Sequence, residues 1–229
     1  MPARLVMAMA LLLALTWQPV VAADQSARMI LALGNTGFLD SEGIHAATGA
    51  VVKTEMGRFQ LQDFSVLVLA DVAFLALPAP IQQGLAQYVS HGGAVLITGG
   101  PHSFGSGGYQ AVAPIIPFQI RSADDWRATP FREPVPLQPG HPILAGVEFI
   151  TVGNLNDMNP RPDAKEILRG PGGDRTYPSP LIAELEVGDG RVVGVAFDPN
   201  ELSGMRDRDL FVRNTIEYLL SVSRIGPPS

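Results

Sequence analysis

The chain has 229 residues, 46% of them hydrophobic and 17% charged, so it carries enough apolar material for one sizeable core and is too hydrophobic to stay unfolded. Its 16 basic and 22 acidic residues give a formal charge of −6, which excludes a general phosphate-backbone binder, and no run of Lys or Arg offers a local patch for nucleic acid. There is no cysteine, which excludes disulfides, thiolate nucleophiles, zinc–thiolate sites and iron–sulfur clusters.

Residues 1–23 read as an export signal. Arg4 is a lone positive charge, Leu5 to Leu15 is an apolar stretch, and Pro19-Val20-Val21-Ala22-Ala23 supplies a helix break and small residues. The apolar stretch is about half of what a bilayer-spanning helix needs, so cleavage after Ala22 or Ala23 is expected, with an uncleaved anchor as the alternative and the one route to a membrane. The remainder, 24–229, keeps 15 basic and 22 acidic residues. It is expected to form a single periplasmic or secreted domain. A cysteine-free exported domain suits a bacterial envelope better than a eukaryotic secretory route.

Along the mature chain, apolar runs alternate with amphipathic stretches. Met29 to Leu33, Phe64 to Ala70 and Ala94 to Thr98 are continuous apolar runs, as strands covered on both faces of a parallel sheet require. Between the second and third, Pro80 to His91 places Ile81, Leu85, Tyr88 and Val89 at helical spacing; Pro80 suits a first turn and Gly92-Gly93 a stop. This predicts a β–α–β unit with a right-handed crossover. Seven prolines between Pro114 and Pro142 forbid regular helix over Tyr109 to Pro142, leaving a short edge strand at Ile115–Ile120 within a surface excursion. Strands are expected again at Phe149–Val152, Glu166–Leu168 and Leu181–Val187. Gly188-Asp189-Gly190 then turns the last of these into a hairpin with Arg191–Phe197. Asp209 to Ser223 closes the chain as a helix burying Leu210, Phe211, Ile216, Leu219 and Leu220.

The sharpest local signal is Gly99 to Tyr109, five glycines in eleven residues directly after a buried strand. Loops at the carboxyl ends of parallel strands are where open α/β sheets place ligands, and glycines there let backbone N–H groups approach a bound group. The spacing is not a dinucleotide fingerprint, and the Lys of a phosphate loop is missing. The candidate ligand-binding set is therefore Asp71, Gly99, Gly100, His102, Ser103, Gly105, Gly107, Gly108, Tyr109 and Asp198. The competing structural reading is that the glycines serve tight turns alone.

The stretch Tyr88 to Tyr109, with its helix end, Gly-Gly, apolar strand and Gly-Gly-x-x-Ser-Phe-Gly-x-Gly-Gly loop, resembles the bacterial class I glutamine amidotransferase-like domains. Val66-Leu-Val-Leu-Ala-Asp71, His141-Pro-Ile-Leu-Ala-Gly146 and Pro180-Leu-Ile-Ala183 leading to Gly188–Val192 and Phe197-Asp198 are similar too, so that the resemblance spans roughly Ser65 to Leu220. It implies a flavodoxin-like α/β fold: a mostly parallel sheet flanked by helices, with a β-hairpin in the C-terminal half. It does not imply the activity. Without a thiolate there is no thioester intermediate, so glutamine hydrolysis is excluded and the family name is a fold label, that of a pseudoenzyme.

Three function classes follow. The first is a non-catalytic envelope domain that binds a small ligand or an envelope protein at the carboxyl edge of its sheet, with no cofactor. The second is a serine hydrolase using Ser103, with His141 as the best-placed base among the four histidines, although Pro101 spoils the G-x-S-x-G elbow. The third is a purely structural subunit whose glycine loop packs against its own proline-rich excursion. A hard cation held by Asp71, Asp198, Asn154, Asn156 and Asp157 is a weaker possibility than helix capping and turn formation. Asp124-Asp125-Trp126 reads as a solvated loop with one partly buried aromatic.

Overall fold

The computed structural model describes residues 27–128, 135–148, 150–170, 179–202 and 207–226. The expected export signal at 1–23 lies outside them. Among the described residues, no helix is long and apolar enough to cross a membrane.

In chain order the elements begin with β1 (Met29–Gly34), α1 (Ser41–Thr48), β2 (Val51–Lys53), β3 (Val66–Ala70), α2 (Ala79–Ser90) and β4 (Ala94–Thr98). The excursion holds only short strands, β5 (Phe118–Gln119), β6 (Trp126–Ala128), β7 (Val135–Pro136), β8 (Asn154–Asn156) and β9 (Asn159–Pro160). Then come β10 (Lys165–Arg169), β11 (Pro180–Val187), β12 (Gly190–Val195) and α3 (Arg208–Val222). Eight strands form the main sheet in the order β2-β1-β3-β4-β12-β11-β10-β7. The first five are parallel to one another, and the last three alternate antiparallel.

The three apolar runs become central strands because both faces of the sheet are covered. Ile30, Val66, Val68, Leu96 and Val193 face a core closed by Ile44 of α1 and Phe211, Ile216 and Leu219 of α3. Their alternate neighbours Leu31, Leu67, Leu69, Val95 and Ile97 face a second core closed by Ile81, Leu85, Tyr88 and Val89 of α2. The period-2 alternation of strand side chains thus divides one sheet between two cores. Leu67, Leu69 and Ile97 are wholly buried, each worth about 1.5–3 kcal/mol relative to exposure.

The predicted stripe of α2 is buried in full. In α3 the stripe shifts, with Val212 and Thr215 buried and Leu210 half-exposed. Gly93 follows α2 because a Cβ there would sit 2.3 Å from the Tyr88 ring, whose hydroxyl donates to the Phe64 carbonyl at 2.9 Å. The hairpin expected at Gly188–Gly190 joins β11 to β12, with Gly188 at φ 60°.

Two expectations need correction. Ile115–Ile120 is not one edge strand: Tyr109–Ile115 winds as 3-10 turns, Pro117 lacks an N–H, and only Phe118–Gln119 pairs, with β9 in a separate ribbon. The strand expected at Phe149–Val152 is absent from 150–152, Phe149 lying outside the described residues; pairing starts at Asn154 instead. Neither α1 nor β2 was expected, since α1 buries a single residue, Ile44, and β2 is a three-residue edge strand.

Candidate functional site

The strand order β2-β1-β3-β4-β12 reverses direction of growth between β1 and β3, and in doubly wound sheets the crevice outside the carboxyl ends at such a point is the preferred ligand position. Four strand ends meet there: Gly34-Asn35 after β1, Asp71 after β3, Gly99-Gly100 after β4 and Asp198 after β12. Asp71 stands in left-handed backbone at φ 40°, which is rare for a residue with a Cβ. Its side chain, 9% exposed, reaches across to the loop after β4. Oδ1 accepts the His102 N–H at 2.7 Å, and Oδ2 lies 3.2 Å from His102 Nδ1. The His102 side chain is 70% exposed, so its Nε2 side faces solvent. Gly100, at φ 148°, permits this approach: a Cβ there would stand 2.2 Å from Asp71 Oδ1.

Asp198 lies beside this pair and is buried. Oδ1 accepts from the Asn200 N–H at 2.8 Å and from its side-chain amide at 2.9 Å, while Oδ2 faces Asn35 Nδ2 at 3.4 Å. Asn200 Nδ2 also donates to the Asn35 carbonyl at 2.8 Å, joining the ends of β1 and β12. Burial, reinforced by the charges of Asp71 and Glu201 and opposed by the Asn200 hydrogen bonds, pushes the Asp198 carboxyl above the usual aspartate range.

The glycine-rich loop turns inward. Asn156 of β8 clamps Gly100 from both sides, accepting its N–H at 2.9 Å and donating to its carbonyl at 3.2 Å. Asp125, 1% exposed, accepts from Gly105 N, Ser106 N, Ser106 Oγ and Asn156 Nδ2. His102 N goes to Asp71, and Ser103, Gly107, Gly108 and Tyr109 donate to carbonyls within the loop. Gly99 donates to the end of β12. Every backbone N–H from Gly99 to Tyr109 other than that of Phe104 therefore already has a protein acceptor. Phe104 and Tyr109 are buried beside Phe74 and Phe118, and the Tyr109 hydroxyl donates to the Val72 carbonyl at 3.0 Å.

Of the candidate residues, Asp71, Gly100, His102 and Asp198 come together at the β1/β3 crevice. Ser103, Gly105, Gly107 and Tyr109 are buried and hold the loop, while Gly99 packs on Ala196 and Gly108 forms an exposed turn. The Ser103–His141 pair is not assembled. The Ser103 hydroxyl is buried with no hydrogen-bond partner among the described residues, and His141 engages Glu184 and the Ile143 N–H. Asp125 is not solvated, as the sequence reading expected, but is the buried anchor of the loop. A string such as Asp124-Asp125 carries no local sign of this, because its donors come from residues about 20 and 30 positions away. The set suggested for a hard cation is dispersed in use: Asn156 is committed to Gly100 and Asp125, and Asn154 donates to Glu201. Among the described residues, no three His, Asp or Glu side chains are grouped to hold a metal ion.

The chain shares its fold with two Salmonella typhimurium proteins. One, STM1381, aligns with a TM-score of 0.69 at 16% identity over 86% of this chain and all of its own. The other, STM3548, gives 0.65 at 17% identity over 84% of this chain and 98% of its own. A ThuA-like protein from Bacteroides uniformis gives 0.61 at 12% identity, covering 89% and 95%. At these identities the likeness shows the fold: an α/β, flavodoxin-like sheet flanked by helices. No family model matches the sequence, and no curated protein does.

Two expectations are overturned by these matches. The resemblance to class I glutamine amidotransferase-like domains does not extend to membership: the fold matches include ThuA-like proteins, a distinct family related in fold. The physical reason lies in the strings that carried the resemblance. Phe104 and the glycines around it pack the turn after β4, so these residues answer to local packing rather than to a family's chemistry. The envelope location is likewise corrected. Both Salmonella proteins with this fold are described as cytoplasmic, so the fold lends no support to export, and residues 1–23 lie outside the described structure.

Proposed function

We propose that this chain is a binding domain whose ligand is a small, uncharged, hydroxyl-rich molecule seated at the carboxyl edge of the sheet, against Asp71, His102, Asn35 and Asp198. One observation carries the reading. Two neighbouring carboxylates stand at the β1/β3 crevice with no Lys or Arg partner among the described residues, while the loop N–H groups that would cradle an anion are already occupied. Such an edge offers acceptors and asks for donors. Hydroxyl groups can donate to both carboxylates, and burial, which raises the Asp198 carboxyl above the usual aspartate range, weakens its pull on a cation. Solvent reaches Asn35, Pro101 and His102, which leaves that side of the edge accessible.

Amide NMR of the purified protein titrated with glucose, galactose and mannose, and separately with inorganic phosphate and ethanolamine, tests the reading. Shifts confined to Asn35, Asp71, His102 and Asn200 on adding a sugar, lost in Asp71→Asn, are expected. Phosphate acting on the loop amides, ethanolamine outcompeting the sugars, or no response to any sugar would each overturn it.

A further inference from the structure

On the α3 face of the antiparallel half of the sheet, His141 sits 5% exposed at the start of the 3-10 turn Pro142–Leu144. Its Nδ1 accepts the Ile143 N–H at 3.3 Å, which caps that turn and assigns the ring proton to Nε2. Nε2 faces Glu184 Oε1 of β11 at 3.5 Å, and the ring stacks edge-on against Tyr218 of α3, centroids 4.8 Å apart. We infer that His141 is an acid-operated latch: neutral, it fastens the segment Leu137–Val147 to the sheet and α3, and a second ring proton releases it.

The argument is one of hydrogen-bond polarity. A proton on Nδ1 would point an N–H at the Ile143 N–H, turning a cap into a clash of donors. Glu184 cannot compensate freely, because its oxygens are already taken. Oε1 pairs with Lys165 of β10 at 3.2 Å, and Oε2 accepts from Tyr218 and from Arg191 of β12, which also pairs with Glu186. Burial, with Lys165 and Arg191 beside the ring, outweighs Glu184 and pushes His141 below the ordinary histidine range. Other hydrogen bonds fasten the segment as well: Leu137 N and Gln138 N donate to the Ile167 carbonyl at 3.0 and 3.3 Å, and Asn214 of α3 donates to the Ile143 and Ala145 carbonyls at 3.4 and 2.8 Å. Ile143 and Leu144 are buried in the α3-side core, so release exposes apolar surface.

Native-state hydrogen exchange on the full chain, read as protection factors, tests the latch. Between about pH 7.5 and about pH 5 the Ile143, Leu144 and Val147 amides should lose roughly tenfold or more of their protection, while those of β3 and β4 keep theirs. His141→Gln, which can accept from Ile143 and donate to Glu184 at every pH, should abolish the change. Lys165→Met removes a half-exposed cation that opposes ring protonation and should move the opening to higher pH. Protection that persists in the wild type at pH 5, an unaltered acid response in His141→Gln, or an unmoved midpoint in Lys165→Met would overturn the inference.

Discussion

Asp71 stores strain: a side chain at φ 40° costs on the order of 1–3 kcal/mol, and the two contacts to His102 hold it there. Asp71→Gly should accordingly be more stable than Asp71→Ala by about 1 kcal/mol in urea unfolding, since alanine keeps the strain and forfeits the contacts. Ser103 is the opposite case, a buried hydroxyl without a partner among the described residues. Ser103→Ala should raise stability by about 1 kcal/mol, and a fluorophosphonate should leave Ser103 unlabelled, where a working nucleophile would react and its loss would leave stability nearly unchanged. Of the individual site residues, Asp71 and Asp198 were legible because each ends an apolar strand run. The anchoring roles of Asn156 and Asp125 were not, because their partners are distant in sequence and the strands beside them are too short to show a pattern.

At the scale of elements, the groups around β11 and the end of β12 give pH dependences of opposite sign. His141 is held below its ordinary value of 6.5, so its contribution is complete above that pH and lost as pH falls. Burial alone would raise Glu184, but Tyr218, Lys165, Arg191 and His141 outweigh it and hold the carboxyl below 4.5, adding a second acid-side loss. Asp198 is raised, so its contribution is present below 3.8 and lost as pH climbs through its folded value. Denaturant unfolding should therefore show stability declining below about pH 6.5, and Asp198→Asn should be more stable than the wild type at neutral pH. The central strands, α2 and the β11–β12 hairpin were all readable from apolar runs and a Gly-Asp-Gly turn. The excursion was not, because its prolines exclude regular structure without saying which residues pair across it.

For the whole molecule, one sheet serves two separate cores, one on each of its faces, among the described residues. Ile81→Ala on the α2 side and Ile216→Ala on the α3 side should each cost about 3 kcal/mol. Their effects should add within about 0.5 kcal/mol in the double variant if the sheet transmits no repacking from one core to the other. A single unfolding transition in both variants would show that the two cores belong to one cooperative unit; two transitions would divide them.

Read alone, the amino-acid order determines where strands lie and that their sheet is covered on both faces, because continuous apolar runs admit no solvated side. The missing cysteine also settles, without any structure, that no thiolate chemistry takes place. Which polar groups remain available was decided only in three dimensions. The glycine loop looks open to a ligand in sequence, yet Asn156, Asp125 and Asp71 take four of its N–H groups and backbone carbonyls take all but one of the rest, leaving a pair of carboxylates at the ends of β3 and β12. Hydrogen bonds between residues far apart in the chain leave no periodic trace in it, whereas burial of a whole strand does.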